Sequence, residues 1–273
     1  MNYHDTPTVS IVIPIYNRSR YLPAAIDSLL SQTYSNVEII LWDDQSTDTS
    51  LGIARHYAIQ HPRVRVVAGL HQGQTQSLKS AFAMTSGTYL AWIDSDDLLA
   101  PTALEETIAI LDANSHIGLV YTNYLCINET NQILGLGQRC RIPYSRNQLL
   151  VHFMVFHFRL MRRSVFEQVG GIDEQCDFVQ DYDLCLRFSE VTGIYHLQRP
   201  LYYYRVHPQS MSQQQQADMI QSAQAAINRA LYRRSLADRY QLQVQTQQID
   251  GQLVGQFSLQ PKNLTLTPQP GEK

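Results

Sequence analysis

"YLAWIDSDDLLAP" (residues 89–101) begins as a segment that belongs out of water and ends in three acids within four positions. Tyr89 to Ile93 read as a buried strand, a short apolar run of the kind found where both faces of a sheet are covered. Asp94, Asp96 and Asp97 then concentrate negative charge at its tip. Two carboxylates one residue apart can share a hard divalent cation, leaving other positions to water and phosphate oxygens. The plainer reading is an acidic loop whose aspartates make turn bonds or start the helix after Pro101. The surroundings of the segment decide between them.

"VSIVIPI" (9–15), "VEIILW" (37–42), "RVRVVA" (63–68) and "IGLVYTN" (117–123) read as further strands. Between them Leu22, Ala25, Ile26, Leu29 and Leu30 recur at helical spacing, as do Ile53, Ala54, Tyr57 and Ala58. Two more helices are expected over 76–85 and past Pro101, the latter carrying Leu104, Ile108 and Leu111. This alternation predicts an α/β fold, a mostly parallel central sheet with helices on both faces. Ligands of such sheets sit beyond the carboxyl ends of the strands. "YNR", "DDQSTD" and "DSDD" each follow a strand, so all three should gather on one rim. That placement favours the cation reading of Asp94 and Asp96.

The second half is less regular. A strand, a short helix and a Gly-Gly turn are expected within 156–174, a helix over 181–191 and an extended aromatic segment over 200–210. A Gln-rich helix is expected over about 214–239, with Met219, Ala223, Ala226, Ile227, Ala230 and Leu231 as its stripe. Tyr240, Leu242 and Val244 alternate, and Asp250-Gly251 signals a hairpin turn. Residues 261–273 read as a frayed end. The expected organisation is a catalytic domain over 1–212, a C-terminal helical extension over 213–240, and a hairpin with a flexible tail over 241–273.

Composition excludes several classes. The chain has 273 residues, 44% apolar and 16% charged, which is globular. With 21 basic and 24 acidic residues the net charge is −3, so no nucleic-acid partner is expected. No apolar run approaches a membrane span and the start lacks signal-peptide features, so a cytoplasmic protein is expected. The four cysteines show no C-x-x-C spacing and read as buried thiols.

Individual residues keep two readings at this level. Asp43 and Asp44 could accept the N–H of a nucleobase, or cap the following helix together with Ser46, Thr47 and Asp48. Asp181 opens a helix, where negative charge is favourable, and an anchored carboxylate there could also serve as a general base. His207 in "YRVHPQS" could contact metal or phosphate, or simply be packed; the two weigh evenly.

Four segments taken together resemble one family. "VSIVIPIYNRSRYL", "VEIILWDDQSTDTS", "GTYLAWIDSDDLLAP" and "DYDLCLRF", in that order, are similar to family-2 glycosyltransferases of the GT-A fold. "LMRRSVFEQVGGIDE" and "LYYYRVHPQSMS" resemble the flanks of the last motif, and the likeness spans about residues 8 to 212. The resemblance implies a Rossmann-like sheet, with Pro14, Tyr16 and Arg18 lining a nucleotide pocket. It implies Asp44 on a pyrimidine ring with Asp43 beside it, and Asp94 and Asp96 holding Mn²⁺ or Mg²⁺ against the donor's diphosphate. Asp181 matches the general base and Asp183 the acid that follows. Where the family usually has Glu before the base, this chain has Gln180, which puts an acceptor-orienting role there in question. Lys79 stands where the family often has Asn; it could meet a phosphate or be a solvated helix residue, and the second reading is slightly favoured.

The implied activity is inverting transfer of a sugar from a nucleotide-diphosphate donor, with UDP first among nucleotides. The acceptor would be a hydroxyl on a glycan, a lipid-linked or another molecule, in polysaccharide or glycan biosynthesis. Peripheral contact with the inner face of a membrane belongs to the same expectation. Two competing readings are a sugar nucleotidyltransferase and a catalytically degenerate nucleotide-sugar-binding module. The first is disfavoured because "IPIYNRSR" lacks the glycines of a triphosphate loop. The retained acids disfavour the second.

Overall fold

In the computed structural model, residues 8–210, 214–249 and 251–262 are described. Strand β1 (Val9–Ile15) is followed by α1 (Leu22–Leu30), β2 (Val37–Asp43), α2 (Ser50–Gln60), β3 (Val64–Ala68) and α3 (Gly73–Phe82). Then come β4 (Tyr89–Trp92), the two-residue β5 (Leu98–Leu99), α4 (Ala103–Ala113), β6 (Ile117–Ile127) and β7 (Ile133–Leu136). The chain continues through β8 (Arg159–Arg162), α5 (Arg163–Gln168), α6 (Gln180–Val191) and β9 (Gly193–Arg205). It closes with α7 (Gln216–Arg233) and the strands β10 (Tyr240–Ile249) and β11 (Gln252–Pro261).

The main sheet runs β3-β2-β1-β4-β8-β6-β9-β5, with β7 on the tip of β6. Strands β1, β2, β3, β4, β6 and β9 point one way, and β5, β7 and β8 run against them. The sheet is therefore mostly parallel, as expected, but antiparallel β8 is wedged between β4 and β6. Sequence reading places a strand near 159 but cannot assign its partners. The tiny β5 and the exposed β7 escape it because neither carries a periodic apolar signal.

Alternation within the strands sorts side chains into two cores. Val9, Ile11, Ile13, Val37, Ile39, Leu41 and Ala91 face α1, α2 and α4, whose contributions include Leu22, Ile26, Ala54, Leu104 and Leu111. Val12, Ile40, Leu90, Leu119 and Tyr121 face the other layer, with Leu78 of α3, Leu184 and Phe188 of α6, and Ala226 and Ile227 of α7. Burial on both faces is why β1 and β2 read as unbroken apolar runs. The α7 stripe packs here, and Leu242, Phe257 and Leu259 of the β10–β11 hairpin cover the same core. Asp250 and residues 263–273, where a turn residue and a frayed end are expected, lie outside the described residues. Gly251 adopts the left-handed φ of 78° that such a turn needs.

The chain order reverses between β1 and β4, which makes the gap between their carboxyl ends the topological switch point. Pro14 helps to open it. Toward β4, β1 uses its even residues: Tyr89 and Ile93 donate their N–H groups to the carbonyls of Thr8 and Val12. Pro14 is next in that series and has no N–H to give. The last β1–β4 pair is Val12 with Trp92.

Candidate active site

The loops after β1 and β2 are tied into one unit. Asn17 takes a left-handed φ of 52°, and its side-chain oxygen accepts the N–H of Thr47 at 2.8 Å. Asp48 accepts the N–H groups of Ser50 and Ser19. Burial opposes ionisation there, but these bonds prevail and hold its carboxyl at about 2. Asp48 thus serves the start of α2, as the sequence suggests.

Asp44 serves a different helix. Its two carboxylate oxygens accept the N–H groups of Gln72 (2.9 Å) and Gly73 (3.0 Å), at the start of α3. Its Oδ2 also lies 2.9 Å from Nδ1 of His71, whose ring stacks on Tyr16 with centroids 4.5 Å apart. Each carboxylate oxygen has two lone pairs, so capacity remains for one more donor. Tyr16 is exposed, and with His71 it forms an aromatic wall beside Asp44. Asp43 faces inward, fully buried, accepting the N–H of Ser46 with one oxygen while the other has no partner. Pro14 is buried in the strand beneath, opposite Trp42.

Across the switch point stands the acid cluster. Asp96 Oδ2 receives Arg18 Nε at 3.1 Å and lies 2.9 Å from Nε2 of buried His207. Burial works against its charge, but the His207 hydrogen bond and Arg18 hold its carboxyl below the usual range. Asp94 has weaker support. Gln74 Nε2 donates to its Oδ1 at 3.1 Å, and His157 Nε2 lies 3.8 Å from Oδ2. Its carboxyl is pushed up to about 7, by burial first and then by the charge of Asp96. Asp97 turns inward, taking the hydroxyl of Tyr202 and the backbone N–H of Arg205, each at 2.7 Å. Arg205 is itself buried and clamps the carbonyls of Asp96 and Asn128. The cluster is built to be held in place.

Asp181 lies in the first turn of α6. Its Oδ1 accepts the N–H of Tyr182 at 2.8 Å, and its Oδ2 accepts Arg159 NH1 at 3.1 Å. Arg159 is buried with its guanidinium 4.7 Å from the Trp92 ring centre, so the base candidate rests on a fixed cation. Gln180 is also buried, and donates to Gln74 Oε1 at 3.3 Å while accepting from Thr75. A line of side-chain amides, Gln180 to Gln74 to Asp94, therefore joins the start of α6 to the acid cluster.

Asp183, expected on the acceptor side, has a fully buried carboxylate that pairs with Arg187, one turn further on, at 2.7 Å. It neighbours Asp173 and Cys176, a grouping that Arg187 and Arg229 already neutralise. Lys79 meets Glu174 at 2.7 Å with both partly in solvent, the surface role expected of it. Gln74, His71, His157, Arg159 and Arg205 are site residues that sequence reading missed. Only the burial-prone "HFRL" and "YYYRV" settings of the last three gave a signal, an ionisable group set in an apolar run.

The donor set suits a hard divalent ion. Asp94 and Asp96 offer carboxylate oxygens and His207 an imidazole nitrogen, a set acceptable to Mn²⁺. Asp94 is raised by burial first and by the charge of Asp96 second, and a bound cation would relieve the second of these. Asp94 can also combine with Asp97 and His157, whose ligand atoms lie within 4.8 Å of one another. Arg18 supplies part of the missing charge at Asp96.

Residues 10–170 match the profile of glycosyl transferase family 2, and the chain belongs to that family. It is 32% identical over 206 residues to a chondroitin synthase of Escherichia coli, covering 76% of this chain and 30% of that enzyme. The chain thus spans under a third of that relative. Staphylococcus aureus TarS (residues 1–349), solved with UDP-GlcNAc, shares the fold with a TM-score of 0.66 at 15% identity. That match covers 85% of this chain and 70% of the solved 1–349 chain. The Pyrobaculum calidifontis mannosyltransferase PcManGT, solved with GDP-Man and Mn²⁺, gives a TM-score of 0.59 at 17% identity. It covers 85% of this chain and 65% of that one. The fold is GT-A. Among the described residues no helix is long and apolar enough to cross a membrane.

Asp44 should matter to the fold even without a ligand, because it starts α3. Asp44→Ala is expected to lower stability by about 1–2 kcal/mol, read by denaturant unfolding. Unchanged stability would show that the α3 start does not depend on this carboxylate.

Proposed function

We propose that this chain transfers a sugar from a nucleotide-diphosphate donor, a UDP-sugar first, to a hydroxyl of a glycan or lipid-linked acceptor, with inversion. One observation carries the reading. Asp44 starts α3, Gln74 of that helix bonds Asp94 and Gln180, and Arg18 bonds Asp96. Side chains distant in sequence, with Asp181 next to Gln180, are thereby gathered around the switch point. Family membership and the UDP-GlcNAc in the TarS structure support a nucleotide-sugar donor. The chondroitin synthase relative supports polysaccharide assembly; in this reading the chain works in the cytoplasm, at the inner membrane face when its acceptor is lipid-linked.

In this reading Asp44 accepts a hydrogen bond from the base, and the Tyr16–His71 wall lies against it. Arg18 turns from Asp96 toward the donor phosphates. Asp94 and Asp96, with His207, would hold Mn²⁺ or Mg²⁺. When bound, that ion supplies the positive charge that balances the departing diphosphate. Asp181 takes the proton of the attacking hydroxyl from the opposite side of the sugar. Arg159 fixes its orientation. Gln180 aligns this base with the acid cluster through Gln74, work that needs an amide donor rather than a second charge.

Asp181→Asn tests the base directly. Transfer should fall by at least about 10²-fold in a nucleotide-release assay, while UDP with Mn²⁺ binds as tightly as to the wild type. Turnover near the wild-type level would remove Asp181 from the mechanism.

The ion itself has a pH signature. A carboxyl raised to about 7 carries its proton in the folded protein below that pH, so the ion-free fold loses stability as pH rises from about 4 through 7. An ion must displace that proton below pH 7, at a cost of about tenfold in affinity per pH unit. At fixed subsaturating Mn²⁺ the rise in melting temperature should be larger at pH 8 than at pH 6. Equal rises at the two values would place the ion away from Asp94.

A further inference from the structure

Beside the cleft is a cation with no carboxylate. Arg139, in the short 3₁₀ turn Gln138–Arg141 that follows β7, lies over two rings, 4.3 Å from the centre of Phe156 and 5.3 Å from that of Phe153. It is half-buried, and its side chain makes no hydrogen bond or ion pair among the described residues. No acidic residue occurs between Glu129 and Glu167. The other arginines of this stretch that approach the core, Arg159, Arg162 and Arg163, are all engaged by carbonyls or carboxylates. An arginine stacked on aromatic faces keeps its fork of N–H donors free for a planar or tetrahedral anion.

The shelf beneath it touches each side of the proposed reaction. Phe156 packs at 4.2 Å on His157, which approaches Asp94. Phe153 stacks at 4.7 Å on Tyr182 and lies 6.0 Å below the Arg159 guanidinium that holds Asp181. Phe153 and Phe156 are each partly open. A sugar ring whose hydroxyl reached Asp181 would have this aromatic surface as its neighbour, with Arg139 at its outer edge.

Resting on the glycosyltransferase reading, we infer that Arg139, backed by Phe153 and Phe156, anchors an acceptor sugar that carries an anionic group. The chemistry is shared by a hexuronate carboxylate and a sugar phosphate. Arg139 selects the acceptor and takes no part in the proton transfer.

Calorimetry on the full chain, saturated with UDP and Mn²⁺ so that no anion settles on the donor side, tests this. The probes are p-nitrophenyl β-glucuronide, p-nitrophenyl β-glucoside and N-acetylglucosamine 1-phosphate. The wild type should bind at least one anionic probe about tenfold or more tighter than the glucoside, as expected for a charge-assisted hydrogen bond. The tighter anion identifies carboxylate or phosphate as the source. Arg139→Gln should lose that preference while binding UDP with Mn²⁺ normally, and Arg139→Lys should keep part of it. Equal affinity for the charged and neutral probes in the wild type, including no binding of either, overturns the inference, as does a preference that survives in Arg139→Gln. Failure of the wild type to bind UDP with Mn²⁺ would instead bring down the glycosyltransferase reading, and this inference with it.

Discussion

Two carboxylates that repel each other share the mouth between β1 and β4, and the rest of the site is arranged to tolerate them. Asp96 is accommodated by Arg18 and His207, whereas Asp94 is bonded by the Gln74 amide with His157 more distant, and burial first and then the charge of Asp96 raise its carboxyl. Burying Asp94 beside a second carboxylate costs stability in the ion-free protein. A stable fold retains it where a ligand supplies the missing charge, and an anionic donor brought in with a divalent ion does that. The third acid, Asp97, acts differently, since with Tyr202 and Arg205 it anchors the loop that presents the other two.

The site is assembled through helix starts more than through strands. Asp44 sits at the start of α3 and Asp181 in the first turn of α6, where the positive end of each helix favours a carboxylate. The amide line from Gln74 to Gln180 couples those two helices and the acid cluster. A glutamate at 180 would add a fourth negative charge near Asp94, Asp96 and Asp181. Glutamine avoids that and also donates to Gln74, so the substitution reads as compatible with an intact site.

Much of this was legible in the sequence. The β-branched runs at 9–15 and 37–42 gave the sheet because burial on both faces leaves no polar break, and the rim acids follow those runs directly. Where the likeness to the family came in, it named Arg18, Asp44, Asp94, Asp96 and Asp181, which lie around the switch point; His207, read from its own segment with two readings open, packs against Asp96. The likeness also named Asp183, whose carboxylate is instead buried against Arg187, a pairing written in the i, i+4 spacing on α6. What stayed hidden depends on tertiary approach. Nothing near Arg159 or Gln74 in sequence indicates that one will hold Asp181 and the other Asp94, because those partners lie on other elements. The wedge of β8 between β4 and β6 was invisible for the same reason.

A crystal of the chain grown with UDP and Mn²⁺, with the ion located by its anomalous scattering, tests the shared site most directly. One manganese peak is expected in direct contact with a carboxylate oxygen of Asp94 or Asp96, with the uracil ring beside Asp44 and a space facing Asp181. Manganese bound instead at Asp173, Cys176 and Asp183, or UDP seated away from the gap between β1 and β4, would contradict it.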